Sequence, residues 1–247
     1  MKKNRVVFLT GAASGLGKDC AKTLAENDFR VFLVDNNRKN LEDLINLLNS
    51  KKKVAGFSIT DIKDVNQVNS AVEKCMENFG TIDILINNAA ILRTGLLSEM
   101  EISDWDDVIK TNLSGFFYTT KAILPIMLKN KEGHILNVGS SNCKNALPRS
   151  GGYDASKFGV KAFTDVLSKE VVKRNIKVTL FHPAGMFTPI HDISKDTLAK
   201  KEREKNYMNT RDIAEIVLFI LTRPDTLVID EIYFYSLNSP FKCPIEQ

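Results

Sequence analysis

Tyr153 and Lys157 stand four residues apart at the start of a helical stretch, a spacing that places both on one helix face. Free tyrosine has a pKa near ~10, too high for a base at neutral pH. A neighbouring ammonium stabilises the phenolate and lowers that value, so Tyr153 could exchange a proton with a substrate oxygen while a nicotinamide carries a hydride. With five tyrosines and many lysines in the chain, the pair alone is a common coincidence. Its surroundings make it more specific. Ser140 follows an apolar run at 135–138, where its hydroxyl could polarise a substrate carbonyl. Asn112 lies inside a long helical stretch at 105–129. Such an Asn is either a surface choice or a local bend, and a bend would free a carbonyl to hold a water beside Lys157.

A second constellation lies at the other end of the chain. The first apolar run ends in Thr10-Gly11-Ala12-Ala13-Ser14-Gly15-Leu16-Gly17 and passes directly into a helix. Glycines there allow a sharp turn, close approach of backbone to a pyrophosphate, and close helix–strand packing. The helix N-terminus offers free N–H groups to phosphate. The second run ends at Asp35, 18 residues past Gly17. A carboxylate there accepts from both adenosine ribose hydroxyls and repels a 2′-phosphate, so it favours NAD over NADP. The structural alternative is a helix N-cap. Ser14 supplies no charge for a 2′-phosphate, while Arg38 is the one nearby cation that could reach one.

These residues need a frame that brings them to one place. Short apolar runs at 6–9, 31–34, 54–57, 82–86, 135–138, 178–181 and 229–234 alternate with helix-like stretches at 15–26, 39–49, 65–79, 105–129, 153–174 and 211–221. Most of the runs are continuous rather than alternating, as strands buried on both faces are. The pattern predicts an α/β fold: a doubly wound (Rossmann-type) parallel seven-stranded sheet with helices on both faces. Right-handed crossovers then collect the strand C-terminal ends on one edge. No linker or repeat divides the 247 residues, which predicts a single dinucleotide-binding and catalytic domain over 1–247. The one long connection, 189–210, is either a substrate lid or a solvated charged helix.

Composition excludes several classes. The formal charge of +4 is spread through the chain, and short runs such as Lys51-Lys52-Lys53 read as solvated loops, so no nucleic-acid partner is expected. Cys20, Cys75, Cys143 and Cys243 form no C-x-x-C pair and the three histidines do not cluster with them, so no metal site is expected. Unpaired cysteines and the lack of a membrane-length apolar stretch point to a cytoplasmic protein with no membrane partner.

Taken together, the motifs resemble those of the short-chain dehydrogenase/reductase family, single-domain type. The matches are Thr10–Gly17, Asp61-Ile62, Asn87-Asn88-Ala89-Ala90, Asn112, Ser140, Tyr153 with Lys157, and the segment from Pro183 to Thr188, with 13 residues from Ser140 to Tyr153. The resemblance implies an NAD-linked oxidoreductase acting on a small alcohol or carbonyl substrate. It implies Tyr153 as acid/base, Lys157 as its partner and a ribose ligand, Ser140 as substrate orienter and Asn112 as proton-relay member. Gly11, Ser14, Gly15, Leu16 and Gly17 would cradle the phosphates. Asp61 and Ile62 would meet the adenine, and Asn88 and Ala89 the ribose side. Pro183, the Met186 backbone and the Thr188 hydroxyl would hold the nicotinamide end. The family also implies a homodimer or homotetramer, with Phe116, Phe117, Val160, Phe163 and Val166 as candidate contact or core residues.

The chain departs from the family at Ala90 and Ala184, each standing where a glycine is usual, and in a tail unlike that of the acyl-carrier-protein reductases. The tail and Asp35 weigh against an NADPH-linked 3-oxoacyl-thioester reductase. A non-catalytic NAD-binding module of the same fold is the other alternative. Cys143 reads as pocket lining, His182 as a hydrogen-bonded structural histidine and Trp105 as a helix anchor. His191 falls in the candidate lid. Arg93, Lys144 and Arg149 read as solvated charges near the pocket mouth.

Overall fold

The computed structural model describes residues 4–50, 53–186 and 207–239. The strands are β1 (Val6–Thr10), β2 (Arg30–Asp35), β3 (Ala55–Ile59), β4 (Ile84–Asn87), β5 (Gly133–Val138), β6 (Ile176–Pro183) and β7 (Glu231–Phe234). They form one seven-stranded sheet in the order β3-β2-β1-β4-β5-β6-β7, and every pairing is parallel. The helices are α1 (Gly15–Glu26), α2 (Arg38–Leu48), α3 (Val65–Phe79), α4 (Ile102–Ile109), α5 (Gly115–Asn130), α6 (Gly151–Val171) and α7 (Thr210–Leu221).

The continuous apolar runs are explained by burial on both faces. β1, β4 and β5 are buried at every position. Successive side chains go to opposite sides. Val7 and Leu9 join a core with Leu16, Leu24, Leu41, Leu44, Ile213 and Val217 from α1, α2 and α7. Val6 and Phe8 join a second core with Val68, Cys75, Ile123 and Leu167 from α3, α5 and α6. Each fully buried Leu, Ile, Val or Phe stabilises the fold by ~1.5–3 kcal/mol against chain entropy.

The stretch expected as one helix over 105–129 is interrupted. Between α4 and α5 the chain makes a wide π-type turn, Lys110–Ser114. Asn112 sits in that turn, fully buried, and its side chain leaves the helix to bond elsewhere. The bend anticipated at Asn112 is therefore present. The next stretch also differs slightly. α6 begins at Gly151, ahead of Tyr153, and gives way at Val172–Arg174 to a tighter turn closed by Asn175 in the left-handed region (φ 57).

A buried polar ladder ties the sheet to the helices that carry the candidate chemistry. Asn87 donates to Asn137 Oδ1 at 2.9 Å and to Thr120 Oγ1 at 3.2 Å, and accepts from Thr119 Oγ1 at 2.6 Å. Asn137 donates to Thr164 Oγ1 at 2.9 Å. Each member is satisfied, so the low-dielectric interior strengthens the links and fixes α5 and α6 against β4 and β5. The strand order reverses between β1 and β4, and the crevice outside their C-terminal ends is where such sheets bind ligands.

Candidate active site

A cavity of about 790 Å³ opens at this edge. Gly11, Ser14, Gly15, Leu16, Asp35, Asp61, Ile62, Asn88 and Ala89 line one part of it. Ser140, Tyr153, Lys157, Pro183 and Met186 line another. Thr188, His191, Cys243 and most of the candidate lid at 189–210 lie outside the described residues.

The glycine turn is shaped by close contact. Gly11 has φ +66, and a Cβ there would stand 2.6 Å from Ala89 Cα. Gly17 does not line the cavity. It lies behind the turn, where a Cβ would stand 2.0 Å from Gly11 O and 2.7 Å from Asn88 Nδ2. The Asn88 amide clasps the same turn, donating to Thr10 O and Gly11 O at 3.0 Å each. Its amide nitrogen is thus committed to the turn, while Asn88 still lines the cavity. Ser14 precedes α1 in extended backbone and makes no side-chain capping bond there. A turn closed this tightly at a helix N-terminus fits the pyrophosphate of a dinucleotide.

Asp35 is not the cap of α2. Asn37 is, accepting from Asn40 N at 3.1 Å. The Asp35 carboxylate accepts from Ala13 N at 3.0 Å and from Asn37 N at 2.9 Å, one bond on each oxygen. This fixes it at the cavity wall with acceptor capacity left on both oxygens. Arg38 is paired with Glu42 at 3.1 Å on exposed helix surface and does not line the cavity. Thr60 was missed by sequence reasoning. It lines the cavity, is nearly fully buried, and its hydroxyl has no hydrogen-bond partner.

Tyr153 and Lys157 come from successive turns of α6. Lys157 is 1% exposed, and its Nζ donates to Val138 O at 2.7 Å. The ammonium also lies 5.2 Å from the Phe116 ring centroid and 5.8 Å from that of Tyr153. Burial lowers its pKa to about 8. One expectation is corrected here. The Tyr153 phenol is pushed up to about 12, not down: burial is the largest cause, an interaction with the Ser140 side chain opposes it, and the Asp154 and Cys143 charges raise it further. Lys157 directs its amine to a main-chain carbonyl, and the desolvation of the phenol dominates.

Ser140 is extended (φ −159, ψ 150), and its hydroxyl accepts from Asn142 N at 3.1 Å, capping a short turn over Ser141–Cys143. Asn112 stands behind the cavity. It accepts from Ile91 N at 2.8 Å and donates to Ile91 O at 2.9 Å and Ser156 Oγ at 3.1 Å. It ties the segment after β4 to α6, one residue from Lys157. Cys143 corrects another expectation. It is buried, does not line the cavity, and its thiol is raised by burial. Trp105 packs against Gly152, so it does anchor α4 to α6. Arg93 lines the cavity mouth and pairs with Asp104 at 3.2 Å, while Lys144 lies 3.9 Å over the Tyr233 ring. A buried carboxylate, Asp154, was also missed. It is 4% exposed and holds the loop that roofs the cavity. Its signal was the polar residue directly after Tyr153, where an apolar one would pack more simply.

Residues 5–198 match the family model of the short chain dehydrogenases, and the chain belongs to that family. It is an oxidoreductase of this class. It is 32% identical over 231 residues to an uncharacterized oxidoreductase of Staphylococcus saprophyticus, covering 93% of this chain and 96% of the relative. It is also 32% identical over 238 residues to the 3-oxoacyl-[acyl-carrier-protein] reductase of Thermotoga maritima, covering 93% and 95%. Among solved structures, an alcohol dehydrogenase from Thermococcus sibiricus complexed with 5-hydroxy-NADP superposes with a TM-score of 0.87 at 23% identity, covering 98% of this chain and 99% of that one. Among the described residues, no helix is long and apolar enough to cross a membrane.

Proposed function

We propose that this enzyme interconverts a secondary alcohol and a ketone or aldehyde on a small substrate, using NAD(H), with Tyr153 as the acid/base. The observation that carries the reading is the convergence of Tyr153, Lys157 and Ser140 on one cavity wall, continuous with the glycine turn and Asp35. When bound, the nicotinamide supplies the carbon that accepts or gives the hydride. Tyr153 holds or takes the proton on the substrate oxygen. A phenol is protonated at neutral pH, burial raises its pKa further, and it is loaded to protonate a carbonyl oxygen. Ser140 orients that oxygen by a hydrogen bond. Lys157 is buried beside Tyr153 and supplies the charge that contacts the ribose. Asn112 links the residue-91 segment and α6 behind them as the relay member.

For the cofactor, Gly11, Ser14, Gly15 and Leu16 hold the pyrophosphate, and Gly17 lets α1 approach. Asp35 receives the ribose hydroxyls, while Asp61, Ile62, Ala89, Pro183 and Met186 complete the wall. Thr188 would join them. Asp35 with Arg38 turned onto Glu42 supports NAD. The second reading, an NADP-linked 3-oxoacyl-thioester reductase, is favoured by the Thermotoga relative and opposed by Asp35. We further take the chain to work as one domain and to assemble as a homodimer or homotetramer; a monomer by light scattering at micromolar concentration would refute the assembly.

The deciding experiment is a screen of alcohols and ketones for a change in NADH absorbance, repeated with Tyr153→Phe. Turnover should nearly vanish in the variant while NAD still binds. A variant retaining more than a small fraction of the wild-type rate would remove Tyr153 from the acid/base role.

A further inference from the structure

His182, at the end of β6, is fully buried and faces Ser140 with one ring nitrogen and Glu231 with the other. Nδ1 lies 3.0 Å from Ser140 N and 2.8 Å from Ser140 O. Nε2 lies 3.0 Å from Glu231 Oε1. Because Ser140 is extended, its own N–H and C=O point to the same side, and a single ring nitrogen meets both but can bond only one at a time.

Glu231 decides which. Burial raises its pKa, but hydrogen bonds from Lys161 and from the Tyr233 hydroxyl at 2.8 Å outweigh that and hold the carboxyl below its usual range. An ionised carboxylate only accepts, so Nε2 must carry the proton. In the neutral ring Nδ1 is then bare, and it accepts from the Ser140 N–H. The ring has no freedom to turn away. It stacks on Tyr233 at 4.2 Å with planes 6° apart, and Gly139 lies so close that a Cβ there would stand 2.5 Å from Nδ1. Among the described residues, Lys161 from α6 and Lys144 over Tyr233 are the cations around this stack.

We infer that His182, held in a single tautomer by Glu231, is a positioning residue for Ser140: it grips the peptide of the residue whose hydroxyl faces the substrate. The inference rests on Ser140 orienting the substrate, as proposed above. It assigns to the last strand of the sheet a part in aiming a group that lies two strands away.

The test uses two substitutions that separate the contacts. His182→Asn keeps an acceptor near the Nδ1 position, and His182→Gln keeps a polar group near the Nε2 position; both lose the ring stacking. The Asn variant should keep kcat/KM within about threefold of wild type, and the Gln variant should lose about tenfold or more, the scale of one hydrogen bond. The NAD dissociation constant should stay within about twofold in both. Glu231→Gln should preserve the rate and Glu231→Leu should lower it. Equal losses in the Asn and Gln variants would overturn the inference, leaving only ring packing. A readout independent of turnover is 15N NMR of the imidazole in the wild-type protein at pH 7, where a ring protonated on Nδ1 alone would overturn it. Absence of turnover on any alcohol or carbonyl would instead defeat the proposed function, while the imidazole tautomer and the exchange protection of the Ser140 amide would still decide whether His182 grips Ser140.

Discussion

The Asp154 carboxylate accepts a hydrogen bond from the Asn142 side-chain amide at 2.6 Å, joining the first turn of α6 to the loop that closes the cavity. Leu147 N at 2.7 Å and Ser150 Oγ at 2.6 Å bond the other oxygen of the same carboxylate. Asp154→Ala takes the acceptor from the part-buried Asn142 amide and Leu147 N–H, while the buried Ser150 hydroxyl keeps Leu147 O at 2.8 Å. We expect a loss of roughly 3 kcal/mol in urea unfolding, since hydrogen bonds to a charged group are worth ~1.5–3 kcal/mol each and are not additive. KM for the carbonyl substrate should rise while NAD affinity holds. An unchanged KM would show that this loop does not form the substrate wall.

The proposed preference for NAD rests on Asp35. A 2′-phosphate would meet a carboxylate held by Ala13 N and Asn37 N. Even a cost of ~3 kcal/mol gives roughly a hundredfold preference for NAD. Dissociation constants for NAD and NADP should differ by that order in wild type, and Asp35→Ala should lose most of the difference. The variant should also bind NAD more weakly, because the turn loses two supports. Equal affinities in wild type would show that Arg38 leaves Glu42 for the phosphate.

Gly17→Ala places a methyl 2.0 Å from Gly11 O, a contact that main chain cannot relieve without moving the turn. Calorimetry should find NAD bound at least tenfold more weakly and a lower melting temperature. Unchanged affinity would mean that α1 can retreat without disturbing the phosphate cradle.

Two buried histidines are expected to make the fold less stable in acid. Burial holds His134, bonded to Thr179 Oγ1 at 2.9 Å, down to about 3, and burial likewise holds His182 down to about 4. In the unfolded chain both titrate near ~6.5. The stability from keeping them neutral is complete above that pH. It is lost as pH falls toward the folded values, because the unfolded chain takes up the protons first. Between pH 6 and 4.5 each histidine should remove ~1.4 kcal/mol per pH unit. His134→Leu should be less stable than wild type at pH 7 yet flatter in acid. An equally steep slope in that variant would assign the acid lability to carboxylates.

The sheet and its site edge were legible because parallel strands buried on both faces leave continuous apolar runs, and because the glycine turn and the Tyr153–Lys157 spacing are local. What was not legible is set by contacts between distant segments. The Tyr153 phenol is raised because the fold buries it, a property of packing that no spacing carries. Asn88 spends its amide on Gly11 across 77 residues of sequence. Cys143 sits three residues past Ser140, yet the turn over Ser141–Cys143 directs it away from the cavity. Asp154 and Thr60 matter through burial, which a polar residue in an amphipathic stretch does not announce.

The sheet order also dictates when a newly made chain can first become competent. β1 lies between β2 and β4, so the nucleotide crevice has no second wall until translation has passed Asn87. Ser140 emerges soon after Val138, but the ring bonded to its peptide arrives only with β6, and the carboxylate on that ring only with Glu231. A growing polypeptide on the ribosome can therefore assemble its dinucleotide cradle early, while the support of Ser140 waits for β6 and β7.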